Sequence, residues 1–185
     1  MMPALKFILP LFFLITASGE VVSSQQFYTE EGTTIFISDS SMETFEGTSQ
    51  KLVGMISLQD SVVDFYVDLN TLDTGIKLRN EHMRENFLNT DKHQFASYYG
   101  KLVSTIEPGL KDTQEVRTRG TFSLHGEKKE IEVNGKAVFE DENTLYIEAN
   151  WELNLHDYNI EVPKFLFLKV NEVQVIEISA TLKPK

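Results

Sequence analysis

From Leu145 to Leu155 apolar and polar residues alternate without a break. Leu145, Ile147, Ala149, Trp151, Leu153 and Leu155 share one parity; Tyr146, Glu148, Asn150, Glu152 and Asn154 share the other. That is the period of a β-strand with one buried and one solvated face. The run is about twice the usual strand length of about 5–6 residues, so it needs partners of similar length. Val63, Phe65, Val67 and Leu69 repeat the pattern around Asp64, Tyr66 and Asp68. So do Ile176, Ile178, Ala180 and Leu182, and Phe122 with Leu124. The pattern predicts about eight to ten strands between Phe27 and Leu182. Asn134-Gly135 predicts a two-residue hairpin turn, with Ile131 opposite Val138, because both residues accept positive φ. Pro108-Gly109, Gly126 and Asp141-Glu142-Asn143 mark further reversals.

One segment departs from the alternation. Between Leu78 and Leu88, Met83 and Phe87 lie four apart with Ile76 on the same helical face, and Asn80 is placed to cap. This predicts a short amphipathic helix ending near Asn89, with a turn from Thr90 to Gln94. Long antiparallel strands must hide both an apolar face and their edges. Closing the sheet into a barrel does both, and a two-sheet sandwich is the alternative. The apolar face is expected to point inward. An eight-stranded lumen is barely wide enough for packed side chains, and confining this many acids and lysines in it would be costly. The chain also ends in Thr-Leu-Lys-Pro-Lys rather than in the aromatic residue expected of an outer-membrane barrel.

The first residues carry a different signal. Lys6 precedes an apolar run from Phe7 to Ile15, and Ala17-Ser18-Gly19 supplies small residues for cleavage. The run is too short to cross a bilayer core of roughly 30 Å as a helix. Residues 1–19 therefore read as a secretory signal peptide and 20–185 as one mature domain, with no transmembrane segment once the signal is removed. With no cysteine in the chain, there is no lipid-anchor site, thiolate metal site or cysteine nucleophile. A formal net charge of −11 repels phosphate backbones, so nucleic acid is not an expected partner. His82, His93, His125 and His156 lack a metal-ligand spacing, and no nucleophile elbow, phosphate loop or dinucleotide fingerprint occurs. No enzyme, metal or cofactor is expected.

Several motifs, in order, resemble the YceI-like family of polyisoprenoid-binding proteins. Arg79-Asn80-Glu81-His82-Met83, Asn86-Phe87-Leu88-Asn89 and Lys92-His93-Gln94 are similar to a stretch resembling Arg-Asp-x-His-Leu, Asp-Phe-Phe-Asp and Lys-Tyr-Pro. The strand and turn from Val67 to Gly75 resemble what leads into it. Gly120-Thr121-Phe122-Ser123-Leu124-His125-Gly126 is close to Gly-x-Leu-Thr-Leu-His-Gly, and Leu155-His156-Asp157-Tyr158-Asn159-Ile160 resembles an Arg-x-Asp-Phe-Gly-Ile turn. Val170 to Leu182 resembles the family's closing strand. The chain departs from the pattern in lacking a His-Ser pair between Ile35 and Ser41, in Asn159 for the turn Gly, and in Gln94 for Pro. It is similar to a divergent member.

The resemblance implies a lipocalin-like barrel whose apolar tunnel holds an isoprenoid chain, such as a quinone tail, in the periplasm or outside the cell, with homodimers common. Phe65, Val67, Leu69, Phe122, Leu124, Trp151 and Leu153 then either line that tunnel or form an ordinary core. Met83 and Phe87 either lid it or simply pack the helix down. Arg79 and His82 match motif positions and are candidates for contact with a polar headgroup, the alternative being a structural role. A barrel with a filled core, serving as a stress-response or interaction module, is the competing expectation.

Overall fold

The computed structural model describes residues 26–161 and 170–184; the signal-peptide assignment lies outside the described residues. Eight strands form one closed antiparallel barrel in sequence order. They are β1 (Gln26–Asp39), β2 (Thr44–Ser57), β3 (Val62–Asp68), β4 (Phe95–Leu102), β5 (Gln114–Leu124), β6 (Glu127–Asp141), β7 (Thr144–Asn154) and β8 (Val173–Pro184). Pairing of β1 with β8, Phe36 opposite Ile176, closes the sheet. The sandwich alternative is thereby excluded. Closure leaves no open sheet edge.

The alternation from Leu145 to Leu153 is realised as β7, with Leu145 opposite Leu182 and Trp151 opposite Ile176 on β8. Its apolar parity points inward, as expected, while acids and lysines such as Glu132, Lys136 and Glu148 stand on the solvated side. In β1 a bulge between Thr29 and Gly32 switches the inward parity from Phe27 and Thr29 to Gly32, Thr34 and Phe36. An extra residue of this kind bends a strand and raises its twist, which helps the sheet curl shut.

The expected Asn134-Gly135 hairpin is not formed. β6 runs straight through it, Asn134 facing both Arg117 and Asn150, and Gly135 facing both Val116 and Ala149. Gly135 is there for space: a Cβ would lie 2.5 Å from the Glu148 carbonyl oxygen. The tight turn lies nine residues upstream, at His125-Gly126, where both residues have positive φ (52° and 84°) and Leu124 pairs with Glu127. That is the type I′ geometry favoured between twisted strands. His125 is held in this conformation by a 3.0 Å hydrogen bond between Nδ1 and the Tyr158 carbonyl. Asn159, where the family pattern has Gly, also adopts the left-handed conformation at φ 53°, which Asn tolerates better than most residues.

The helical segment forms in two parts. α1 (Lys77–His82) is regular, and Met83–Leu88 continues as a wider π-helical turn ending at a left-handed Asn89. Asn80 is inside α1 and is not its cap. Its Oδ1 accepts from the Thr74 backbone N–H (2.9 Å) and its Nδ2 donates to Asp73 (2.8 Å), pinning the preceding loop to the helix.

Candidate binding cavity

The barrel is solid at one end. Phe27 and Phe139 meet edge to face at 5.5 Å, and Leu145 and Leu182 are wholly buried. These residues come from the start of β1, the end of β6, the start of β7 and the end of β8, so they plug the end opposite α1. Above them the interior is open. A cavity of about 920 Å³ reaches the upper part of the roughly 300–1,000 Å³ range typical of small-molecule sites.

The open space follows from which residues sit opposite which. A Cβ on Gly54 would fall 2.1 Å from Phe65 Cδ1, and one on Gly47 2.2 Å from Phe36 Cε1. Each ring therefore lies flat over a glycine on the neighbouring strand instead of reaching the barrel axis. Ala96, Ala137 and Ala149 add further small positions to the wall. An apolar lining of large rings and small gaps results.

Every residue singled out from the sequence reaches this cavity. Phe65 and Val67 on β3, Leu69 just after it, Phe122 and Leu124 on β5, and Trp151 and Leu153 on β7 form the wall. Met83, Phe87, Arg79 and His82 border it from the helical segment. Sequence reasoning missed Thr34, Phe36, Leu52, Tyr98, Ile176 and Ile178, which also line it. Ile176 and Ile178 were visible as alternating residues of the last strand. Thr34 and Phe36 face inward only because of the β1 bulge, which leaves no periodic signal.

Polar groups are few. The Tyr98 hydroxyl donates to Thr118 Oγ1 (2.9 Å), which donates in turn to the Val133 carbonyl (3.3 Å). Burial pushes the Tyr98 pKa up, opposed by the Thr118 hydrogen bond. Phe122 stacks edge to face with both Trp151 and Tyr158, each at 5.7 Å. Burial, then the nearby Asp157 charge, raises the Tyr158 pKa to about 12. Thr34 Oγ1 and Trp151 Nε1 are buried without a hydrogen-bond partner, a condition that costs about 1–3 kcal/mol per group.

At the mouth Arg79 does not stand free. Its Nη2 lies 2.6 Å from Glu43 Oε1, and its guanidinium sits 4.3 Å over the Phe45 ring. The pair ties α1 to the β1–β2 turn. Arg84 anchors the next turn by donating to the Leu72 carbonyl at 3.0 Å. His82 is exposed at the rim. Among the described residues no group of three or more His, Asp or Glu side chains is arranged to hold a metal ion.

A closed eight-stranded antiparallel barrel with an apolar hollow opening at one end is a lipocalin-like container. A family model, the YceI-like domain, matches residues 26–182, and the chain belongs to the YceI-like family. Among solved structures it is similar to a polyisoprenoid-binding domain from Saccharophagus degradans implicated in plant cell wall breakdown. That likeness has 15% identity, covers 88% of this chain and 100% of that one, and has a TM-score of 0.74. It is also similar to BcnA of Burkholderia cenocepacia (10% identity, 83% and 96% covered, TM-score 0.69). A YceI protein of Campylobacter jejuni is a third (14% identity, 97% and 99% covered, TM-score 0.55). At these identities the likeness is one of fold. No curated protein sequence matches significantly.

Proposed function

We propose that the chain is an exported carrier or reservoir for an isoprenoid chain or a similar amphiphile, working in the periplasm without catalysing a reaction. The observation that carries this reading is the apolar cavity of about 920 Å³ inside a barrel of the polyisoprenoid-binding family. Each methylene-sized group moved from water into such a lining gains about 0.8 kcal/mol, so a long chain has a strong reason to occupy it. The signal-peptide-like pattern of residues 1–19 supports export, into a compartment where a lipid chain crossing water needs a shield. The competing reading, a barrel with a filled core, sits poorly with the hollow interior.

The test is to purify the protein from its own host, extract it with organic solvent and identify the extract by mass spectrometry. A stoichiometric long-chain lipid is expected. Recovery of none, together with no uptake of added quinone or isoprenoid alcohol, would falsify the proposal. Membrane and periplasmic fractions of the same cells, probed for the chain, test its location.

A further inference from the structure

The charges around the cavity identify the kind of head such a lipid carries, and this inference rests on the carrier reading above. The arginine at the mouth already has a carboxylate. At the mouth Arg79 is paired with Glu43 at 2.6 Å, with 19% of the arginine side chain exposed. Lys136 and Glu148, paired at 3.4 Å, stand on the outer face of the wall and do not reach a bound head. Glu161 is a further acid on the lining. At the mouth two carboxylates, Glu43 and Glu161, therefore stand with one cation, Arg79. The chain as a whole, at a formal −11, adds repulsion in the same direction.

A phosphate, diphosphate or carboxylate head brought to this mouth has two outcomes. It displaces Glu43 from Arg79, which leaves Glu43 without its partner, or it stays unpaired beside existing acids. Either way an anion at the mouth is left without a cation and beside like charge, which is unfavourable. A hydroxyl, carbonyl or amide head carries no such penalty and meets hydrogen-bonding groups, His82 and Asn86 at the mouth and the Tyr98–Thr118 pair within. We infer that the cavity selects chains with an uncharged head and rejects the same chain bearing an anionic one, with Glu43 as the residue that sets this preference by occupying Arg79.

The single tryptophan of the chain, Trp151, lines the cavity, so its fluorescence reports occupancy. The purified protein, stripped of lipid, is titrated with geranylgeraniol and with geranylgeranyl diphosphate, two heads on one chain. The alcohol is expected to bind at least about tenfold tighter. In Glu43→Gln, which keeps the shape and frees Arg79, the ratio is expected to fall by about fivefold. A second measurement uses the unaltered protein: raising salt from about 0.01 to about 0.5 M screens the acids and should narrow the ratio. Equal or tighter binding of the diphosphate overturns the inference and leaves the carrier reading intact. A ratio unmoved by both Glu43→Gln and salt overturns the assignment to charge. Binding of neither compound overturns the carrier reading itself.

Discussion

At one end of the barrel Phe27, Phe139, Leu145 and Leu182 are buried together, the two rings edge to face; at the other, Phe36 and Phe65 lie flat on glycines and leave a hollow. Both ends are apolar, and both come from the same two-residue alternation on the same strands. The difference is one of size matching across strands. Where large side chains oppose each other the interior fills, and where a ring opposes glycine or alanine it stays open. Hydrophobicity alone does not separate a core from a container.

Truncation separates the two ends most sharply. Phe139→Ala removes a ring from the solid end and should cost about 3–5 kcal/mol, because the surroundings cannot collapse into the space. Met83→Ala, at the border of the hollow, should cost less than about 1 kcal/mol. Urea denaturation followed by circular dichroism gives both numbers. Comparable losses would mean that the cavity residues are packed as tightly as the plug.

Enlarging side chains gives the converse, with smaller effects. Ala180 is buried in the solid part, and a Cβ on the facing Gly32 would be only 3.0 Å from its Cβ. Ala180→Leu should therefore destabilise by about 1–3 kcal/mol through overpacking. Ala149→Leu projects into the cavity wall, where there is room. It should change stability by less than about 1 kcal/mol and instead reduce uptake of isoprenoid alcohol. An Ala149→Leu protein that is badly destabilised but binds normally would place the free space elsewhere.

The barrel was legible because long alternations leave a one-sided sheet few ways to bury itself. Its inward direction followed from the cost of enclosing so many charges, and the lining from the parity of Phe65, Phe122 and Trp151. What could not be read were features set by contact between strands. Asn134-Gly135 has the chemistry of a turn, yet the long β5 and β7 partners carry it through as strand, and Gly135 is used for its lack of a side chain. The inward turn of Phe36 depends on the β1 bulge. The pairing of Arg79 with Glu43 joins residues 36 positions apart, and no local pattern announces it. Hollowness itself was illegible for the same reason: it depends on Gly54 lying against Phe65, a matter of register.

The smallest expected effect concerns titration, which the two ends should feel differently. The plug residues Phe27, Phe139, Leu145 and Leu182 have nothing to ionise. The hollow end holds Tyr158, whose phenol is raised from its ordinary value near 10 to about 12 by burial and by Asp157, and Tyr98, raised chiefly by burial. A raised folded-state pKa means that the unfolded chain gives up the proton first. The stabilisation is fully present below pH 10 and declines as pH rises through about 12. Urea midpoints measured on either side of pH 10 should therefore show an alkaline loss, and Tyr158→Phe should diminish it while leaving the neutral-pH midpoint nearly unchanged. Because Tyr158 packs on Phe122, and Phe122 on Trp151, the tryptophan signal should shift before the overall strand signal falls. If both signals move together in the native protein and in Tyr158→Phe alike, the alkaline transition does not begin at the hollow end.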